Sequence, residues 1–318
     1  MHEASWFRSE VGGSVRCLLC PHSCSIQPES AGLCGVRINR DGILYAAGWG
    51  RISALALDPV EKKPLRRFYP GSTLLSVGGW GCNLSCSFCQ NWRIAHPGRS
   101  GGICIPVAES FEGSVSAVHG APGGLKDEPR YPADLVSQAQ SCADAGNIGL
   151  AFTYNEPVIN YEYIFETGRL LKARGGPADK LVLVTNGYVN PEPLESLLPL
   201  VDAMNIDLKA FTDDFYRSVC GGHLEPVRST IKRCSQAFAS GYLHLEVTTL
   251  LIPGYNDSSS EIEALASWLA SCSPAIPLHI NRHHPAWRMP EVEPVSRDHQ
   301  QHLAGCARRY LKYVYTSG

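Results

Sequence analysis

The sequence predicts an α/β fold: a parallel (β/α) barrel of the TIM-barrel type, partial and close to (β/α)6, preceded by a small N-terminal Cys-rich β-element. Three observations predict it. From residue 72 onward, apolar strand-like runs alternate with helix-like segments. No dinucleotide glycine fingerprint follows the first run, which sets aside a doubly wound nucleotide fold. Polar residues gather at the carboxyl ends of the runs, where a parallel barrel builds its reactive face. Two regions follow: 1–70, a Cys-rich metal-binding region with a linker, and 71–318, the partial barrel.

In the first region CLLCPHSC leads into SIQPESAGLC and then GVRINRDGILYAAG. Asp41-Gly42, between two strand-like runs, reads as a hairpin turn. PVEKKPLRRFYPG (59–71) is Pro-rich and basic and reads as a linker. The strand candidates beyond it are TLLSVG (73–78), IGLAFTY (148–154), LVLVTNG (181–187), DAMNIDLK (202–209), YLHLEVTTLL (242–251) and PLHINR (277–282), with YLKYVYT (310–316) as a seventh. Helical segments lie between them at 158–174, 212–219, 226–240, 259–271 and 296–309. An insertion at 96–130, rich in Gly and Pro and without periodicity, reads as a surface loop or as a lid.

Composition narrows the class. A formal charge of -2 gives no global pull toward nucleic acid or membrane. MHEASWFRSE lacks the apolar run of a signal peptide, and no stretch approaches the roughly 18 apolar residues of a membrane span. The expectation is a soluble, cytoplasmic protein. Thirteen cysteines are many for such a chain, and without an export signal metal binding is their expected use. Seven fall in two clusters. Cys104, Cys142, Cys220, Cys234, Cys272 and Cys306 are scattered and read as small buried hydrophobes.

The strand ends carry Cys82 after the first run, Thr153, Tyr154, Asn155 and Glu156 after the second, and Thr185, Asn186 and Gly187 after the third. Asp207 and Lys209 end the fourth, Thr248 and Thr249 lie near the end of the fifth, and His283 and His284 follow the sixth. Alternation puts Asn205, Asp207 and Lys209 on one strand face, His244, Glu246 and Thr248 on another, and His279, Asn281 and His283 on a third. Several polar faces together suggest a cavity for a polar ligand.

GCNLSCSFCQNW (81–92) holds Cys82, Cys86 and Cys89 as C-x3-C-x2-C. Three thiolates can hold three irons of a [4Fe–4S] cube and leave the fourth iron an open position, as a catalytic metal site does. Phe88, just before the last cysteine, offers a planar neighbour to a ligand there. This spacing after the first barrel strand resembles the radical S-adenosylmethionine (SAM) superfamily. CLLCPHSC with AGLCGVRIN, DPVEKKPL, FTYNEP, VTNGY, NIDLKAF, FYRSVCGG, EVTTLLIPGYND, the HINRHHP region and YVYTSG extend the resemblance to the pyruvate formate-lyase activating enzyme-like branch, and within it to the AmmeMemoRadiSam system enzymes.

The resemblance implies a [4Fe–4S] cluster on Cys82, Cys86 and Cys89, with SAM chelating the open iron. SAM is then cleaved reductively to a 5′-deoxyadenosyl radical that abstracts a hydrogen atom. It implies SAM contacts by Asn155 and Glu156, where relatives carry a GGEP-like motif that here reads TYNEP. Asp207 and Lys209 would meet the methionine and ribose end, Thr185 and Asn186 would line the cavity, and His283 or His284 would touch SAM. A Lys suits the SAM carboxylate, and carboxylates offset its ammonium and sulfonium.

The resemblance further implies an oxidoreductase of activating-enzyme type, an anaerobic setting, an electron donor such as ferredoxin or flavodoxin, and a protein substrate or AMMECR1-like and Memo-like partners. Radical modification of a small molecule is the alternative. A non-enzymatic Fe–S electron-transfer protein is a second, and it needs a fourth ligand, with Cys104 nearest in sequence. Cys17, Cys20, Cys24 and Cys34, spaced C-x2-C-x3-C-x9-C, suit a closed zinc site or an auxiliary cluster, with His22 able to replace one thiolate.

Overall fold

A computed structural model describes residues 1–96 and 129–318. The 96–130 insertion, with Cys104, lies outside the described residues but for its ends.

The N-terminal part carries β1 (His2–Glu3), β2 (Phe7–Ser9), β3 (Val15–Cys17), β4 (Ser25–Ile26), β5 (Arg37–Arg40) and β6 (Ile43–Ala46). They form two three-stranded antiparallel sheets, β1-β6-β5 and β2-β3-β4. The expected hairpin is there: Arg40 pairs with Ile43, and Asp41 and Gly42 turn with φ of 52° and 81°. Positive φ at both central residues matches the twist of the strands they join.

The large sheet is mostly parallel and has eight strands: β7 (Ala54–Pro59), β8 (Thr73–Gly78), β9 (Asn147–Phe152), β10 (Lys180–Thr185), β11 (Ala203–Asp207), β12 (His244–Leu251), β13 (Leu278–Arg282) and β14 (Val314–Ser317). Its order is β14-β13-β12-β11-β10-β9-β8-β7, which does not close into a barrel among the described residues. Seven of these strands are those expected from the apolar runs. β7 is the addition, antiparallel to β8.

The chain divides into two compact units. The first comprises Met1–Asn83, Asn91–Thr185 and Val189–Ala203, and the second Leu84–Gln90, Asn186–Tyr188 and Met204–Gly318. In the first, Val60, Leu65 and Phe68 join Leu74, Ala151, Val182 and Ala203 in one apolar core. The 59–71 segment is therefore not a solvated linker. Val60 and Leu65 are fully buried, each contributing about 1.5–3 kcal/mol, and their apolar anchors outweigh the basic, Pro-rich composition around them. A buried ion pair ties β5 to the helix Tyr161–Arg174, with Arg37 Nη1 2.9 Å from Glu162 Oε2.

In the second unit the helices Leu224–Ala239, Ser259–Cys272 and Arg297–Ala307 accompany its strands. Ser258 and Ser296 cap the last two by accepting from Glu261 N and His299 N. The segment expected as a plain helix at 212–219 is one helical turn (Asp213–Phe215) followed by a π-turn (Tyr216–Cys220) that ends on Gly221 at φ 71°. Among the described residues, no helix is long and apolar enough to cross a membrane.

Candidate functional site

In the first unit, the TYNEP turn follows β9. Tyr154 has φ 73°, in the left-handed region. Its hydroxyl donates to Asp58 Oδ2 at 2.6 Å, and the same oxygen accepts from Lys63 Nζ at 2.8 Å. Asn155 Oδ1 accepts from Gly79 N (3.0 Å), and its Nδ2 donates to Gly81 O (2.8 Å). Glu156 is buried, and its Oε1 accepts from Val158 N (2.9 Å) and from the Thr185 hydroxyl (2.7 Å). The structure thus brings Asn155, Glu156 and Thr185 together at adjacent strand ends. Cys82, half-buried, follows Gly81, whose φ is 83° and whose missing Cβ would lie 2.3 Å from Cys34 O. Only glycine fits at that crossing.

In the second unit, Cys86 is buried and Cys89 half-buried. Their segment lies along the π-turn: Ser85 N donates to Cys220 O at 2.6 Å and Ser87 N to Val219 O at 2.9 Å. The Cys86 thiol is held below its usual pKa by a hydrogen bond with Cys220 and, against burial, by the Lys209 charge. Lys209 Nζ pairs with Asp207 Oδ2 at 3.0 Å and lies 5.8 Å from the Phe88 ring centroid. Burial opposes the Lys209 charge, yet Asp207, Cys86 and Cys220 keep it well above the ordinary lysine range. Lys209 N donates to the Tyr216 hydroxyl at 3.0 Å. Asn186 turns inward, its Oδ1 accepting from Tyr188 N at 2.8 Å.

His283 is 2% exposed and neither ring nitrogen has a hydrogen-bond partner, although Met289 and Val292 backbone lies nearby. Burial holds its pKa down. His284 is exposed. The donor set suits an iron–sulfur cluster with a charged ligand: a thiol whose pKa is held down, a half-buried cation for a carboxylate, and a buried imidazole whose ring nitrogens have no hydrogen-bond partner.

The polar strand faces are otherwise closed by internal bonds. Glu246, fully buried, pairs with His244 Nε2 (2.8 Å) and His279 Nε2 (2.5 Å), and Thr248 donates to Asn205 Oδ1 at 2.9 Å. These are satisfied pairs, so alternation over-read the size of the cavity. Sequence reasoning also passed over Cys220, Tyr216, Asp58 and Lys63. The cations four and five residues after Asp58 were the available signal for the last two.

Cys17, Cys20, Cys24 and Cys34 line one small pocket in the first unit with His22 and Arg37. Burial, then the neighbouring Cys17, drives the Cys34 thiol up to about 12, and burial with Cys34 raises Cys20 too. His22 Nε2 is 2.7 Å from Asn83 O. Among the described residues, no group of three or more Cys, His, Asp or Glu is disposed as placed to hold a metal ion.

An open, mostly parallel sheet with three cysteines just beyond its first parallel strand defines the class, an α/β protein with a cysteine-bearing segment at its strand ends. The sequence profile of the Radical SAM superfamily matches residues 78–269, and the chain belongs to that superfamily. It is 34% identical over 319 residues to an uncharacterized protein of Methanocaldococcus jannaschii, covering 99% of this chain and 84% of that one. It is 32% identical over 83 residues to a benzylsuccinate synthase activating enzyme of Thauera aromatica, covering 26% of this chain and 24% of that one. In fold it is similar to a radical SAM methyltransferase from Sphaerobacter thermophilus, with a TM-score of 0.53 and 20% identity over 79% of this chain and 67% of that one.

Proposed function

We propose that this chain is an activating-enzyme-like radical SAM oxidoreductase that takes a hydrogen atom from a partner protein. When bound, a [4Fe–4S] cluster and SAM would supply the 5′-deoxyadenosyl radical. The observation that carries the reading is the Lys209–Asp207 pair beside Phe88 and Cys86 in a cysteine-bearing segment.

Cys82, Cys86 and Cys89 would hold the cluster. Lys209 would take the SAM carboxylate, Asp207 the ribose side, and His283 would use an unpartnered ring nitrogen on the ligand. His284 is too exposed to share that part. Asn155 and Glu156 have their side chains engaged with Gly79, Gly81, Val158 and Thr185, so the part proposed for them is to shape the site. The likeness to an activating enzyme over 83 residues supports a protein substrate; a ferredoxin or flavodoxin would supply the electron. The four N-terminal thiols are proposed to take zinc or an auxiliary cluster. A Cys20→Ser, Cys34→Ser variant should lose one metal and local protease resistance.

The test is anaerobic: reconstituted, dithionite-reduced protein with SAM should yield 5′-deoxyadenosine, and Cys86→Ala should yield none. No product from the wild type would sink the reading. One observation favours a second reading, an electron carrier: the Cys220 thiol beside Cys86 could complete a four-thiolate set. Cys220→Ser should then lose the cluster, whereas the enzyme reading predicts that it is kept.

A further inference from the structure

Tyr154 is the only residue of the TYNEP turn with a left-handed backbone. A non-glycine residue there is disfavoured by roughly tenfold in population, so something must hold it. The side chain supplies the hold. Its hydroxyl donates to Asp58 Oδ2 (2.6 Å), Lys63 Nζ donates to the same oxygen (2.8 Å), and Lys63 Nζ also lies 4.5 Å from the Tyr154 ring centroid. Asp58 is 8% and Lys63 3% exposed, so each group has its charge answered inside the protein. Burial works against the Asp58 charge, but Lys63 and Tyr154 hold its carboxyl well below the usual range. Asp58 is the penultimate residue of β7, Lys63 follows a 3-10 turn, and the core anchors Val60 and Leu65 flank both.

What the turn holds is more telling. Tyr154 O accepts from Asn91 Nδ2 at 2.6 Å. The next residue, Asn155, engages Gly79 N and Gly81 O. Gly79 and Gly81 stand just before Cys82, and Asn91 stands two residues after Cys89. One two-residue turn therefore grips both ends of the cysteine segment, and its grip requires the carbonyl of Tyr154 and the side chain of Asn155 in the directions that the positive φ sets. None of these groups carries the cluster chemistry.

We infer that Tyr154, braced by the buried Asp58–Lys63 pair, is a positioning residue that sets the spacing of the two ends of the cysteine segment. The geometry stands by itself, but its purpose rests on the cluster reading above. The 59–71 segment thereby acquires a role: it carries half of the brace.

The test separates backbone conformation from side-chain packing with three variants. Tyr154→Phe removes the hydroxyl and keeps the ring. Tyr154→Ala removes the brace and keeps the strain. Tyr154→Gly removes the brace and the strain together, because glycine takes positive φ freely. Hydrogen–deuterium exchange over 79–91 in the metal-free full chain is the first readout, with the thermal midpoint as a control for global loss of fold. Exchange should rise about tenfold in Tyr154→Ala, as expected when a constraint of this size is released. It should rise less than about threefold in Tyr154→Gly, with Tyr154→Phe between wild type and Tyr154→Ala.

The second readout is the rate at which a ferrous chelator strips iron from the reconstituted protein, which should follow the same order. Equal exchange in Tyr154→Ala and wild type, or Tyr154→Gly as fast as Tyr154→Ala, would overturn the inference. A wild type that binds no cluster on its three cysteines would refute the proposed function instead, and the exchange series would still decide the brace.

Discussion

At the scale of single residues, Lys209 and His283 carry the sharpest expectations. Lys209→Met removes the cation that answers Asp207 and steadies Cys86. It should weaken SAM binding at least tenfold, the worth of one charge-assisted bond, while iron content stays near wild type. Equilibrium binding and iron assay together check this. His283 gives a pH signature. Its folded pKa is depressed by burial, so its contribution to stability is full above the unfolded value of about 6.5 and is lost as pH falls through the folded value. The thermal midpoint of the metal-free protein should therefore drop between about pH 7 and about pH 5, and His283→Gln should drop less over the same window. Lys209, Asp207 and His283 were legible because period-two alternation and strand ends mark them. Cys220 was not: an isolated cysteine looks like any buried hydrophobe until the fold lays it against Cys86. The φ of Tyr154 has no sequence signature at all, since tyrosine announces no turn.

At the scale of elements, backbone crossings and one buried pair dominate. Gly221 ends the π-turn at φ 71°, and a Cβ there would lie 2.2 Å from Ser85 Oγ. Gly221→Ala should displace the 84–90 segment and cost roughly 1–3 kcal/mol of stability, read by urea unfolding. Arg37→Met strands the Glu162 carboxylate beside the N-terminal sheets and should cost about 3–5 kcal/mol. The apolar runs gave six of the seven parallel-type strands within one or two residues and placed the start of the last, β14, four residues early. The edge strand β7 and the packed 59–71 segment were hidden, because prolines and basic residues mask the few apolar anchors that decide their burial. The π-turn was read as plain helix, since one extra residue per turn barely disturbs a helical pattern.

At the scale of the whole molecule, a Radical SAM chain presents its cysteines in a segment whose ends belong to one compact unit and whose middle belongs to the other. Each unit supplies its own supports: the Tyr154 turn in the first, the π-turn and Lys209 in the second. The family and the cysteine spacing were readable from the sequence. The substrate was not, because the residues that would meet it have no common chemistry to announce them. The central claim is that SAM binds the cluster held by Cys82, Cys86 and Cys89. The most direct measurement is pulsed EPR of the dithionite-reduced, reconstituted protein with SAM carrying nitrogen-15 in its amino group. A hyperfine coupling from that nitrogen to the cluster is expected in the wild type and none in Cys86→Ala. A reduced cluster whose spectrum ignores SAM and shows no such coupling would contradict it.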